Sequence, residues 1–96
     1  NALYRHAEGL GIEVHYDAMV TAIDIEDSAF KRVWVDDTPI SASAFVAAAG
    51  GFEANIEWLK EAWGEIAENF LIRGTPYNRG TLLRMLLDAG AQQICE

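Results

Sequence analysis

Leu3, Tyr4, Ala7 and Leu10 fall at helical spacing, so residues Asn1 to Leu10 read as a helix. Gly9 and Gly11, which tolerate the left-handed turn that ends helices, close it. The period then changes. Ile12, Val14 and Tyr16 alternate with Glu13 and His15, the pattern of a short half-buried strand over Ile12 to Tyr16. Val20 to Glu26 repeats it with the β-branched Val20, Thr21 and Ile23. After a turn at Ser28 and Ala29, Phe30 to Val35 forms a third strand. Asp36-Asp37-Thr38-Pro39 turns again, and Ile40 to Ser43 begins a further extended segment. The expected result is an antiparallel meander.

Phe45 to Ala49 is apolar at every position instead of alternating, which predicts a strand covered on both faces at the centre of a sheet. Gly50-Gly51 ends it. A helical pattern follows, with Asn55 as N-cap and Glu57 in the first turn. Phe52, Ile56, Leu59, Trp63 and Ile66 recur at spacings of four, three, four and three, so this stripe is expected to face a core. Asn69 to Gly80 holds too many breakers for regular structure, although Phe70, Leu71, Ile72 and Tyr77 are available to pack. Thr81 is placed to cap a last helix through Ala89, with Leu82, Leu83, Leu86 and Leu87 inward, Arg84 and Asp88 as an exposed pair, and Gly90 as its stop. With no repeat or linker, residues 1–96 read as a single α/β unit, α+β if taken as an isolated piece: helix, meander and returning strand over 1–51, then a helical segment over 52–96.

Composition narrows the partners. The 96 residues are 51% hydrophobic and 23% charged, which suits one small globular unit and not a disordered chain. Seven Lys and Arg against fifteen Asp and Glu give a net charge of −8, with no basic stripe, and argue against nucleic acid. The carboxylates Glu53, Glu57, Glu61, Glu65 and Glu68 read as one solvated face. The longest apolar run, Ala44 to Ala49, is far short of a membrane span, no signal peptide opens the chain, and the single cysteine, Cys95, reads as a free thiol. These features favour a cytoplasmic protein. The chain starts at Asn1 already inside a helical pattern, which suggests a piece of a longer protein.

Candidate chemistry is sparse. Gly50-Gly51, between an apolar strand and a helix, is where backbone could approach a ligand closely, with an ordinary strand-to-helix turn as the plainer reading. Gly9-Leu10-Gly11 lacks the third glycine and the strand-to-helix order of a dinucleotide fingerprint. His6 and His15 have no metal-ligand spacing, and Asp36-Asp37 reads as a solvated turn. No nucleophile elbow, Cys-x-x-Cys or P-loop is present, so no catalytic residue or metal site is assigned. Trp63 joins the core stripe, while Trp58 is expected to face a partner surface.

Four blocks carry a resemblance: Ala2-Leu3-Tyr4-Arg5 through Gly9-Leu10-Gly11-Ile12; Phe45-Val46-Ala47-Ala48-Ala49-Gly50-Gly51-Phe52 with Asn55; Arg73-Gly74-Thr75-Pro76-Tyr77-Asn78; and Asp88-Ala89-Gly90-Ala91. Together they resemble the FAD-dependent flavoprotein family of fumarate reductase and succinate dehydrogenase over nearly the whole chain. The Ala-Gly-Gly-Phe block is shared with 3-ketosteroid dehydrogenases, and the Arg-Gly-Thr-Pro-Tyr-Asn block is similar to the branch that acts on tricarballylate. The resemblance implies a part of a Rossmann-like FAD-binding domain. It also implies cofactor contact at Val20, near the adenine end, and along Ala48, Ala49, Gly50 and Gly51, with Asn78 and Gly80 bordering the flavin segment. The family usually has Thr at the position of Ala49, and a Thr-Gly-Asp/Glu-Gly segment where this chain has Arg79-Gly80-Thr81-Leu82.

The implied function is dehydrogenation of a small polycarboxylate, with hydride passing to FAD and the catalytic groups outside these residues. The implied partners are the remainder of the parent flavoprotein and the carboxylate substrate. The piece alone is expected to be inactive and capable of forming a homodimer. A 3-ketosteroid dehydrogenase-like enzyme and a non-enzymatic protein-interaction domain are the alternatives.

Overall fold

A computed structural model describes residues 1–94 of the chain; Cys95, read as a free thiol, lies outside them. The first helix, α1 (Ala2–Gly9), starts where the Asn1 side chain accepts a hydrogen bond from the Leu3 amide at 2.8 Å. It ends in the expected left-handed turn. Gly11 takes φ 78, and the Ile12 amide donates back to the Ala7 carbonyl at 3.1 Å. That closure uses the start of the segment expected to be a strand. Residues 12–16 are irregular, because no neighbouring strand supplies the ladder that period-two alternation needs, and Asp17 at φ 50 bends the chain away. Tyr16 instead meets Tyr4, ring centres 5.8 Å apart.

The meander follows as β1 (Val20–Glu26), β2 (Ala29–Val35) and β3 (Thr38–Ser41), antiparallel throughout and in sequential order. The β1–β2 turn is Asp27-Ser28, one residue earlier than expected, with φ of 51 and 62, the twist-matching form of a two-residue hairpin. The next turn takes only Asp36-Asp37, so Thr38 and Pro39 belong to the strand. Pro39 is tolerated because β3 is an edge. Ile23, Val33 and Ile40 stand opposite one another across the three strands, and Val33 in the middle is buried. Elsewhere on β1, Asp24 accepts from Arg32 Nη1 at 3.2 Å and from Trp34 Nε1 at 3.0 Å.

Phe45 to Ala49 departs from expectation. The segment makes no ladder: residues 43–50 form no backbone hydrogen bond among the described residues, and Val46 is 85% exposed. The meander pairs only with itself, so a run whose composition suits a strand buried on both faces has neither neighbours nor cover. Only Phe45 is anchored, stacked on Phe30 at 5.0 Å. The described fold is therefore α+β with an antiparallel sheet, as expected of the chain taken as an isolated piece, and the buried parallel strand is not formed among the described residues.

Helix α2 (Ile56–Trp63) is shorter than the apolar stripe. Gly64, at φ 77, stops it, and a 3₁₀ turn over Glu65–Asn69 follows. Phe52, Ile56 and Leu59 stay half-buried, but Trp63 at the end of α2 and Ile66 beyond the break are exposed, while Ala67 is fully buried. Phe70, Leu71, Ile72 and Tyr77 lie in irregular chain and remain exposed. The last helix, α3 (Thr81–Asp88), packs against β1 and ends at Gly90, where the Ala91 amide reaches the Leu86 carbonyl at 3.0 Å.

Few side chains are fully enclosed. Val33 and Ala67 are the buried apolar residues among those described, and the chain exposes 7893 Å². A compact monomer of this mass exposes about 5,500 Å². The radius of gyration, 15.9 Å, likewise exceeds the roughly 12.5 Å of a compact chain this long. No helix among the described residues is long and apolar enough to cross a membrane.

Candidate functional site

Two loops far apart in sequence are sewn together beside the two glycine positions. The Ala54 amide donates to the Asn78 carbonyl at 2.9 Å, and Asn55 Nδ2 donates to the Arg79 carbonyl at 3.0 Å. Arg79 Nη1 reaches the Ala54 carbonyl at 3.4 Å, and Asn78 Nδ2 donates to Glu53 Oε1 at 2.6 Å. Asn55 has a double use: its amide nitrogen ties the loops while its oxygen caps α2 by accepting from the Trp58 amide at 3.2 Å. The sequence identified the cap and missed the tie, since the Asn55 to Arg79 link has no local signature.

This seam brings a cleft of about 250 Å³ onto Val20, Ala49, Gly50 and Gly80, four of the seven expected cofactor-contact positions. Met19, Tyr77, Thr81 and Leu82 complete much of its wall. Asn78 adjoins the cleft through Gly50, while Ala48 and Gly51 do not line it. Thr81 is not the cap of α3, as the sequence suggested. Gly80 occupies that position at φ 74 with no capping side chain, so no side chain satisfies the first-turn amides of α3, whose residues Thr81, Leu82 and Leu83 line the cleft.

The glycines have an internal reason. A Cβ on Gly50 would lie 2.9 Å from Asn78 Oδ1, one on Gly51 2.9 Å from Glu53 Oε2, and one on Gly80 2.3 Å from Trp58 Cζ3. Close approach is real at all three, and the approaching group is the protein's own side chain. Gly80 is buried under a three-layer stack: Phe52 and Trp58 lie 4.2 Å apart, and the Arg84 guanidinium sits 3.9 Å from the Trp58 ring centre. Trp58 is therefore part of the packing between α2 and α3, not a free partner surface. Arg84 turns away from Asp88 to pair with Glu61 at 3.1 Å, because the stack lays it across Trp58 toward α2. The acidic stripe is likewise engaged: Lys60 bridges Glu68 at 2.6 Å and Glu65 at 3.0 Å, which together hold its ammonium above the usual lysine range.

The Glu53 carboxyl is held below its ordinary 4.5 by its own backbone amide first and then by the Asn78 amide. A depressed acid contributes stability above its unfolded pKa and loses it as pH falls through the folded value. Asn78→Ala is therefore expected to move Glu53 partway back toward 4.5 and leave the backbone share intact. An NMR pH titration of the Glu53 side chain reads this directly. An unmoved pKa would mean that the Asn78 contact does not persist in solution.

His15 Nε2 lies 2.9 Å from Glu13 Oε1, and among the described residues no three His, Cys, Asp or Glu side chains gather as metal ligands. No family model, curated protein or solved structure matches this chain.

Proposed function

We propose that the chain forms part of the cofactor wall of an FAD-dependent oxidoreductase that dehydrogenates a small polycarboxylate such as tricarballylate, within a Rossmann-like cofactor domain like that of tricarballylate dehydrogenase. The observation that carries this reading is the convergence of Val20, Ala49, Gly50 and Gly80, separated by up to sixty positions, on one cleft. The lining fits one portion of such a cofactor. Met19, Val20, Ala49 and Leu82 offer an apolar wall for a flat ring, and the uncapped start of α3 offers amide donors to an oxygen. At about 250 Å³ the cleft is smaller than the roughly 300–1,000 Å³ of a complete small-molecule pocket, so the rest of the cofactor would lie on other parts of the parent protein. The large exposed apolar surface supports the same view, since a covering protein would enclose it.

When bound, FAD supplies hydride acceptance from a substrate carbon, and a base outside these residues takes the proton. This chain contributes positioning and wall, and is inactive alone. The test is the visible spectrum of the natural full-length gene product. Flavin bands near one per chain, lost on Gly50→Leu, are expected; a colourless folded protein that takes up no added FAD would overturn the reading. The surface excess also favours a protein-interaction domain, a reading that a colourless product would leave standing.

A further inference from the structure

On the other side of Gly80 and Thr81 lies a second cleft of about 340 Å³, lined by Asn55, Trp58, Arg79 and Arg84. We infer that it is a binding site for a small oxyanion carrying two or more charges, a polycarboxylate or a di- or polyphosphate, held between Arg79 and Arg84. The inference stands apart from the flavin reading, since it rests on Arg79 and Arg84, which do not line the first cleft.

Cations are scarce in a chain with seven Lys and Arg against fifteen Asp and Glu, yet two of the seven line this one cleft. They arrive by different routes. Arg79 comes from the loop sewn to Ala54 and Asn55, and Arg84 from the first turn of α3. The Arg79 guanidinium has no carboxylate partner among the described residues, and its one hydrogen bond there, to the Ala54 carbonyl, is long at 3.4 Å. Arg84 is held in place by the Trp58 face on one side and Glu61 at one Nη2, which leaves its other N–H groups free. A guanidinium already fixed loses less freedom when an anion arrives, and its fork matches carboxylate and phosphate oxygens. The Thr81 hydroxyl adds a donor on the shared rim. Asp88 also lines the cleft and opposes an anion, so the part bounded by Arg79, Thr81 and Arg84 is where one is held.

The experiment titrates the full chain, without flavin, with tricarballylate and separately with inorganic pyrophosphate, following the indole and guanidinium resonances by NMR. Saturable shifts at Trp58, Arg79 and Arg84 are expected, with Trp34 and Trp63 unmoved. Arg79→Gln should weaken binding about tenfold, and Glu61→Gln, which removes a competing carboxylate, should tighten it about two- to threefold. Binding of either probe with this pattern supports the site: tricarballylate alone marks a substrate-type carboxylate, pyrophosphate alone a cofactor-type phosphate. No saturation, equal shifts at all three tryptophans, or unchanged affinity in a folded Arg79→Gln protein would overturn it. Because no flavin is present, loss of this site and loss of flavin binding are read independently.

Discussion

Gly80→Ala is expected to destabilise the protein by about 3 kcal/mol, combining left-handed strain with forced repacking. At φ 74 an L-residue is already disfavoured, and the added methyl would sit 2.3 Å from Trp58 Cζ3 and 2.6 Å from Phe52 Cβ. Neither neighbour can yield easily, since Trp58 is held on both faces, by Phe52 and by Arg84. Gly74→Ala is the control. Gly74 also has positive φ, 106, but nothing lies within 4 Å of the added Cβ, so only the backbone cost of about 1 kcal/mol remains. Urea midpoints of the two variants separate strain from packing. Equal losses would show that the ring does not rest on Gly80 in solution.

Trp58→Ala is expected to cost about 3 kcal/mol, the low end for removing a large aromatic, because the ring is half-buried. It takes out the centre of a stack and with it the only ring on which Arg84 rests. Trp58→Phe keeps a ring between Phe52 and Arg84 and should lose about 1 kcal/mol, from reduced area and a weaker cation–π contact. Thermal unfolding of the pair checks the ordering. A Trp58→Ala protein as stable as the parent would exclude the stack as a structural element.

Local signals were read correctly where local chemistry decides. The apolar spacing and flanking glycines of α1, the β-branched alternation of β1 and β2, the Asn55 cap and the Gly90 stop each act within a few residues. The segments 12–16 and 45–49 went the other way, because a strand exists only when another supplies its hydrogen bonds, and composition says nothing about whether that partner is present. Trp58 was misplaced for a similar reason. Helical spacing sets it off the Ile56 to Trp63 stripe, but the wall it meets comes from residues 80–84.

The candidate site was half legible. Of the seven positions the resemblance singles out, the fold gathers 20, 49, 50 and 80; the loop seam, the Asn78 share of the lowering at Glu53 and the cleft that joins Asn55 and Trp58 to Arg79 and Arg84 depend on contacts more than twenty positions apart. Asn55 marks the start of α2 correctly, whereas the hydroxyl of Thr81 suggests a cap for α3 one residue too late, since Gly80 holds that position with no capping side chain.

The sequential strand order of the meander also bears on how the molecule assembles. Each strand pairs with its neighbour in the chain across a two-residue turn, so the sheet closes only short loops and is expected to form early and fast. The cleft at Gly80 must bring residues near 20, 50 and 80 together, and that costs far more chain entropy. The site is thus the last region to be built during folding and the first to come apart under denaturing stress.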